Sequence, residues 1–197
     1  MSCDNPSGAD NQQETPQPSA QLDPSWIVGF VDGEGCFSVS VHKNTFMHRH
    51  GGWQLQAAFH VYQHRDSGHV LHALRAHFGC GYIRPKGPNS DVLTYSVTKL
   101  RDLEETILPF FEENDLLVKT RDFRKFAEVV KALKRKEHLS ADGFERIVRL
   151  AYAMNGNGRQ RSRTLGEILE GSSETVRQAP PALAVKIQSD PHGDMGN

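Results

Sequence analysis

The stretch that decides the fold is DPSWIVGFVDGEGCF, residues 23–37. Asp23 is a residue type that caps helix N-termini, and Pro24 suits the first helical position, so we predict that a helix starts here. From Trp26 to Val31 the stretch is apolar except for Gly29, a pattern typical of a buried helix. These residues therefore predict a helix around which the rest of the chain packs.

Two glycines and two acids mark the second half of this helix. Gly29 and Gly33 share a helix face, although each glycine weakens a helix by about 1 kcal/mol relative to alanine. A face without Cβ atoms lets a second backbone approach closely. Asp32 and Glu34 lie at the C-terminus, where the helix dipole disfavours negative charge, so a nearby cation is expected. The alternative is a buried helix that ends in glycine-rich turns with solvated acids.

The rest of the chain alternates between strand-like and helix-like patterns. Apolar and polar residues alternate, which predicts strands, at 36–43, 53–63, 82–86 and 92–98. Apolar residues recur at helical spacing at 68–78, 100–111, 121–135, 140–154 and 164–169. This order predicts an α+β fold, α-β-β-α-β-β-α followed by C-terminal helices, with one face of an antiparallel sheet packed on helices and the other face free.

The charges are segregated along the chain, although the formal net charge is only −1. Residues 36–101 contain eight Lys and Arg against two acids, and residues 119–136 also contain eight against two. The acids concentrate in 1–35 and 102–118. Segregation of this kind indicates a polyanion partner such as nucleic acid, although a helix with a solvated basic face would also give the second block.

A chain of 197 residues with 37% hydrophobic residues is expected to form one domain with disordered parts. We predict a disordered tail, a globular domain, a short helical extension and a second disordered tail, at 1–20, 21–155, 156–170 and 171–197. No apolar run reaches the roughly 20 residues of a membrane span, and the N-terminus does not resemble a secretory signal. Three widely spaced cysteines favour reduced thiols. We therefore expect no membrane partner and a cytoplasmic or organellar protein that is not secreted.

The nonamer IVGFVDGEG, residues 27–35, resembles the signature of the LAGLIDADG homing endonucleases. GYIR at 81–84 and LPFF at 108–111 resemble further recurrent pieces of members that have one motif per chain. The departures are mild, with Gly33 in place of alanine and Glu34 in place of the commoner aspartate. The resemblance implies an α-β-β-α-β-β-α fold in which a curved antiparallel sheet reads double-stranded DNA.

The chain is expected to carry only one such motif. Residues 150–158, LAYAMNGNG, echo the signature faintly and have asparagine at both acidic positions. The resemblance therefore implies a homodimer in which each protomer reads one half of a long pseudo-palindromic target. The motif helices are expected to pack together at a dimer interface of Trp26, Gly29, Phe30, Asp32 and Gly33. For Asp32 the favoured role is structural, either capping or pairing across the interface.

The resemblance also implies which residues act in catalysis. Glu34 is expected to bind a catalytic Mg²⁺, which Mn²⁺ can replace, with help from the Gly33 carbonyl. One Glu34 per chain is too few to clamp attacking and leaving oxygens between metal ions, but two copies are enough. Gln63 is expected to position the attacking water, and Lys119 is expected to place charge near the scissile phosphate. The alternatives are an ordinary strand-end glutamine and a lysine that merely starts a helix.

Polar side chains on the free face of the sheet are candidate DNA contacts, because hydrogen-bonding groups on a β-ribbon suit the major groove. These candidates are Ser38, Ser40, His42, Lys43, Gln54, Gln56, His60, Arg65, Arg84, Lys86, Thr94 and Ser96. An ordinary solvated sheet face is the alternative. Eight of the ten histidines lie between His42 and His77, but the spacing of cysteine and histidine does not fit a closed zinc site.

The sequence therefore predicts a site-specific, metal-dependent DNA endonuclease. Two other functions of the same fold stay open at this point. One is a maturase that binds its intron RNA and assists splicing, and the other is a DNA-binding protein that has lost catalysis. The presence of Glu34, Gln63 and Lys119 favours the endonuclease.

Overall fold

The structure is a computed structural model that describes residues 22–46, 48–154 and 163–177. The predicted tail at 1–20 lies outside the described residues. The same holds for 155–162 and for the predicted second tail from 178 onward. No helix in the described part of the chain is long and apolar enough to cross a membrane.

The first helix, α1, spans Pro24–Glu34 and begins where the sequence predicts. The carboxylate of Asp23 accepts hydrogen bonds from the backbone N–H groups of Ser25 and Trp26, at 2.8 and 3.2 Å. This cap satisfies donors that a helix N-terminus otherwise leaves unpaired.

Only one side of α1 is buried. Ile27 and Val31 are fully enclosed, whereas Gly29 and Gly33 are exposed. The sequence predicted burial all round, and that prediction is wrong for the isolated chain, because only the Ile27 side faces the sheet and its helices. An apolar helix with an open glycine face is left at the surface.

The four strands are β1 (Gly35–Lys43), β2 (Trp53–His64), β3 (Tyr82–Pro85) and β4 (Val92–Val97). They form one sheet in the order β1-β2-β4-β3, and every neighbouring pair is antiparallel. The predicted open antiparallel sheet is confirmed. Its register places Gly35 opposite Val61, so the end of α1 enters the sheet beside the last residues of β2.

The remaining helices are α2 (His69–Phe78), α3 (Leu100–Asp102), α4 (Leu108–Glu113), α5 (Thr120–Lys134), α6 (Ala141–Tyr152) and α7 (Leu165–Arg177). Their order confirms the predicted α+β class. A π-helical turn at Leu103–Ile107 interrupts the single helix predicted at 100–111. Pro109 explains the interruption, because proline cannot donate to the preceding turn and its ring crowds that turn.

Helix α7 is longer than the sequence predicts. The expected short helix at 164–169 continues past Gly171 to Arg177, where the prediction had placed the beginning of a tail. Ile168 on this helix is fully buried in a small second core with Trp53, Phe144 and Val148. This core packs the start of β2, at Trp53, against the C-terminal helices α6 and α7.

The main core is aromatic and lies directly behind the start of β1. The ring centroid of Phe37 lies 5.2 to 5.4 Å from those of Phe59, Phe111, Phe123 and Phe126. All five rings belong to a single cluster of buried residues. Because Phe37 follows Gly35 by two residues, this packing fixes the point where α1 passes into the sheet.

Part of the second basic block is paired with acidic side chains. Lys131 pairs with Glu112 at 2.7 Å, and Lys134 pairs with Glu104. The acids of 102–118 therefore neutralise part of the helix that the sequence left open as a polyanion surface. The alternative that the sequence allowed, a helix with an ordinary charged face, describes this block better.

Candidate functional site

The candidate site lies at the junction of α1, the start of β1 and the start of α5. Glu34 is the last residue of α1, and its side chain is exposed. Within the described part of the chain, its carboxylate has no hydrogen bond or ion pair to another side chain. A carboxylate that is exposed, unpaired and held on a rigid helix end is available to an external ligand.

Asp32 has a different and internal role. Its carboxylate accepts hydrogen bonds from the backbone N–H groups of Leu117, Val118 and Lys119, at 2.7, 3.2 and 2.9 Å. Partial burial raises the pKa of Asp32, but the hydrogen bonds from Lys119, Leu117 and Val118 outweigh it and hold the pKa below its usual value. Asp32 thus caps the loop that leads into α5, one of the structural roles the sequence favoured.

Lys119 supplies the cation expected at the C-terminus of α1. Its ammonium donates hydrogen bonds to the carbonyl oxygens of Asp32 and Gly33, the latter at 3.3 Å. A positive charge is favourable there because the last carbonyls of a helix have no partner within the helix. The structure therefore brings Lys119 next to the two residues that precede Glu34.

Gln63 and Arg65 lie at the other side of this junction. Gln63 is two residues beyond Val61, the partner of Gly35, and its Oε1 accepts a hydrogen bond from the backbone N–H of His64 at 2.7 Å. The amide NH₂ of Gln63 is left to donate. Arg65 turns toward the β3–β4 connection, where its Nη2 lies 3.7 Å from the carboxylate of Asp91.

A single chain does not complete a metal site. Among the residues that the structure describes, no three histidine, cysteine, aspartate or glutamate side chains cluster closely enough to hold a metal ion. The Glu34 carboxylate is an unengaged hard oxygen donor at this junction, and beside it the Gly33 carbonyl accepts from Lys119 at 3.3 Å; both are donors of a kind that suits Mg²⁺. The donor set thus fits a hard divalent cation, but only if other ligands join it.

Most of the predicted DNA contacts share one face of the sheet. The register places Ser38 opposite Ala58, Ser40 opposite Gln56, and His42 opposite Gln54. On the other half of the sheet, His60, Ser96 and Tyr82 form one cross-strand row, and Tyr62, Thr94 and Arg84 form the next. Lys86 extends this face, with its ammonium 4.9 Å from the ring centroid of Tyr62. We call this the polar face of the sheet.

Three of the predicted contacts do not lie open on this face. Lys43 is opposite Trp53 on the other side of the sheet, with its ammonium 5.4 Å from the indole centroid. Ser96 is 0% exposed and Thr94 is 6% exposed, because larger side chains on the neighbouring strands cover them. The structure therefore leaves Ser96 and Thr94 little or no open surface for DNA and places the exposed Lys43 on the opposite side of the sheet.

The sequence did not single out two aromatic side chains on the polar face. The ring of Tyr62 lies under Lys86, and the ring of Tyr82 lies 5.5 Å from the guanidinium of Arg84. Strand alternation already placed Tyr62 on this side, so the signal was present for that residue. The cation–π contacts hold the two basic side chains close to the sheet.

The exposed side of α1 is apolar and closely approachable. Trp26, 42% exposed, stacks on Phe30 with 5.0 Å between ring centroids. Around Gly29 and Gly33, apart from the chain neighbours and the backbone of α1 itself, no heavy atom of the described residues lies within 4 Å of the position a Cβ would take. The structure of one chain therefore gives no internal reason for either glycine.

The comparisons with known proteins identify the family. A family model described as LAGLIDADG endonuclease matches residues 27–130. The match covers more than half of the chain, and the chain belongs to this family of homing endonucleases.

Two curated relatives show how far the similarity extends. The Neurospora crassa protein named probable intron-encoded endonuclease 3 is 32% identical over 132 residues, 66% of this chain and 24% of that protein. The homing endonuclease I-ApeII of Aeropyrum pernix is 28% identical over 149 residues, 74% of this chain and 87% of that protein. The chain thus spans about a quarter of the Neurospora protein but most of the archaeal one.

Two solved structures share the fold. The archaeal intron-encoded homing endonuclease I-Vdi141I, complexed with DNA, has a TM-score of 0.71 at 28% identity, over 78% of this chain and 96% of that chain. I-SmaMI, bound to an uncleaved DNA target in the presence of calcium ions, has a TM-score of 0.65 at 29% identity, over 86% of this chain and 54% of that chain.

Proposed function

We propose that this protein is a site-specific homing endonuclease that makes a double-strand break in DNA as a metal-dependent homodimer. The observation that carries the proposal is the position of Glu34. This exposed carboxylate ends an apolar helix whose glycine face is open, and it stands at the edge of a polar sheet face. The fold class and the DNA complexes of similar structures support double-stranded DNA as the substrate.

The homodimer follows from what one chain lacks. One chain supplies a single Glu34 carboxylate, and two-fold symmetry about the Gly29 and Gly33 face would bring a second copy beside it. The same symmetry places two polar faces side by side over two half-sites. A pseudo-palindromic target is the sequence that such an arrangement reads best.

The residues at the junction have different roles in the proposed hydrolysis. Glu34 would hold Mg²⁺ or Mn²⁺, and a bound ion would supply charge stabilisation at the phosphate and a more acidic water. The ammonium of Lys119 is fixed at the end of α1, where it can stabilise negative charge on the phosphate oxygens. The free amide NH₂ of Gln63 can orient the attacking water, because its Oε1 is already engaged.

A maturase acting on intron RNA is the second candidate, and it would need a basic surface for RNA. Outside the polar face, the clearest candidate is the block at 119–136. Lys131, Lys134 and Arg135 of that block form ion pairs with Glu112, Glu104 and Glu137. This pairing favours the endonuclease over the maturase. A DNA-binding protein without catalysis is disfavoured because Glu34, Gln63 and Lys119 are all retained.

Replacing Glu34 by Gln tests the proposal. With a duplex target selected from a randomised library, the wild type should cleave both strands in Mg²⁺, and Glu34→Gln should bind the target without cleaving it. The amide keeps the shape but gives up the charge that holds the metal, and affinity depends mainly on phosphate contacts elsewhere. Glu113→Gln, at an exposed glutamate on α4, is the matched control and should cleave normally. Full cleavage by Glu34→Gln would overturn the assignment.

A further inference from the structure

A buried serine contacts a histidine in the middle of the polar face. Ser96 on β4 and His60 on β2 are cross-strand partners, and Ser96 Oγ lies 2.9 Å from His60 Nδ1. Ser96 is 0% exposed, whereas His60 is only partly buried. The pair therefore combines one side chain that DNA cannot reach with one that it can.

The environment keeps the imidazole neutral and in place. Burial, and then the positive charge of Arg84, lower the pKa of His60 below its ordinary value. Cys36 lies opposite His60 on β1, and the Tyr62 ring lies 6.1 Å away on the same strand. With neighbours on both sides and Nδ1 tied to Ser96, the ring has one nitrogen left. Nε2 has no hydrogen-bond partner among the residues the structure describes.

The cost of an unpaired buried hydroxyl indicates which atom donates in the contact between Ser96 Oγ and His60 Nδ1. A buried hydroxyl that donates to nothing costs about 1–3 kcal/mol, and His60 Nδ1 is the hydrogen-bond partner of the Ser96 hydroxyl among the described residues. Ser96 Oγ–H therefore donates to Nδ1. A neutral imidazole that accepts at Nδ1 carries its proton on Nε2, so His60 presents a hydrogen-bond donor to whatever lies over the sheet.

We propose that Ser96 is a positioning residue for sequence readout: it fixes His60 as an Nε2–H donor that reads one base pair in each half-site. This inference rests on the proposed DNA-binding function. In the major groove, guanine offers N7 and O6 as acceptors, adenine offers N7 and thymine offers O4, whereas cytosine offers only an N4 donor. The position read by His60 should thus favour an acceptor edge and reject cytosine.

Removing the serine hydroxyl frees the ring without removing it. In Ser96→Ala, His60 can rotate and can exchange its proton between nitrogens, so Nε2 becomes either donor or acceptor. The loss of one hydrogen bond of ordinary strength should weaken the preference for an acceptor base over cytosine about three- to tenfold at the one position that His60 reads. Preferences at all other positions should stay as they are.

The test is a double-substitution cycle read by sequence selection. Wild type, Ser96→Ala, His60→Ala and the double variant each select bound duplexes from a randomised library. We expect Ser96→Ala and His60→Ala to relax the same position, and Ser96→Ala to add nothing in the His60→Ala background. A Ser96→Ala protein that keeps the full wild-type preference, or one that relaxes other positions instead, would overturn the inference.

A spectroscopic measurement separates this inference from the proposed function. The ¹⁵N chemical shifts of the His60 imidazole, recorded on the free protein, report which nitrogen carries the proton. The Nε2–H form is expected in the wild type and a mixture in Ser96→Ala. An Nδ1–H form in the wild type would end the inference whether or not the protein binds DNA. A wild type with the Nε2–H form that selects no DNA sequence would instead contradict the proposed function.

Discussion

Asp32 and Lys119 are joined by two hydrogen bonds, one in each direction. The Asp32 carboxylate accepts the Lys119 backbone N–H at 2.9 Å, and the Lys119 ammonium donates to the carbonyl oxygen of Asp32. The first contact fixes the loop before α5, and the second covers the end of α1. Because Glu34 follows two residues later, this reciprocal contact sets the place of the lysine relative to the carboxylate of Glu34, the proposed metal ligand.

Asp32→Asn should destabilise the fold and slow cleavage together. The neutral amide weakens hydrogen bonds that are made to a charged acceptor, which are worth about 1.5–3 kcal/mol each, so we expect a loss of at least about 1.5 kcal/mol at pH 7. Chemical denaturation and single-turnover cleavage measure the two effects. Asp91→Asn is the matched control, because the Arg65–Asp91 pair at 3.7 Å is exposed and contributes little.

The pKa of Asp32 gives this contribution a pH dependence. Its pKa is lower in the folded state than in the unfolded chain, so the stabilisation is fully present above the unfolded value. It is lost as the pH falls through the lower, folded value. The wild type and Asp32→Asn should therefore converge in stability in strong acid, and a difference that grows on acidification would contradict the assignment.

Lys119→Met should lower the cleavage rate far more than the affinity for DNA. The ammonium is held at the end of α1, so its charge matters most as negative charge develops on the phosphate, an effect on the order of 10²-fold. Single-turnover rates and equilibrium binding separate the two quantities. Equal losses in both would make Lys119 an ordinary phosphate contact.

Local sequence patterns were enough to predict the elements and their order. The cap at Asp23 and the alternation in the strands each act within a few residues, and the structure confirms them. Long-range partners were not predictable in this way. The carboxylate of Asp32 is bonded to residues 85 to 87 positions away, which no local pattern encodes.

Exposure on the sheet also depends on neighbouring strands. Alternation correctly placed Ser96 and Thr94 on the same side as His60, but it could not show that larger neighbours bury both of them. Lys43, next to His42 on β1, points to the other side of the sheet, where it pairs with Trp53. Side-chain size on adjacent strands therefore decided which predicted contacts reach the surface.

Gly29→Leu should leave the single chain folded and prevent its dimerisation. A side chain at this position meets open space within one chain, and replacing glycine removes a helix penalty of about 1 kcal/mol. Between two closely packed helices the same side chain has no room. Sedimentation at several concentrations should show a folded monomer, and an unchanged dimer would exclude the α1 face as the interface.

Gly35→Ala is the contrasting variant. A Cβ there would lie 2.6 Å from Val31 Cγ1 and 2.7 Å from the Val31 carbonyl oxygen, so it should destabilise the chain itself by about 1–3 kcal/mol. Thermal unfolding should thus show a lower melting temperature for Gly35→Ala and no such loss for Gly29→Leu.

Acidification should loosen the loop between β1 and β2. His50 Nε2 lies 2.8 Å from the His138 carbonyl oxygen, and the His50 ring stacks on Phe144. Burial lowers the pKa of His50, and the positive charge of Arg49 lowers it further. The hydrogen bond to the His138 carbonyl raises the pKa, but by less than burial lowers it. The stabilisation is present above the unfolded pKa of about 6.5 and is lost as the pH falls through it toward the folded value.

A glutamine at position 50 offers an amide N–H donor in place of the imidazole N–H of His50 but does not titrate. Between pH 7.5 and 5.5, His50→Gln should therefore lose less unfolding free energy than the wild type, as measured by denaturation at each pH. His69→Gln, at an exposed histidine on α2, should retain the full wild-type dependence. An unchanged dependence in His50→Gln would show that the loop contact does not sense pH.

DNA affinity should fall steeply with salt, and the preferred target should be pseudo-palindromic. Arg84 and Lys86 lie on the polar face and Arg65 lies just beyond the end of β2, so a dimer brings twice these three cations to the DNA. At about −0.9 per phosphate neutralised, log K should fall with log salt with a slope near −5. Binding at several salt concentrations, together with sequences selected from a random library, tests both expectations. A slope near zero, or one asymmetric site bound by a monomer, would contradict the half-site arrangement, because two identical polar faces related by a two-fold axis must read two equivalent half-sites.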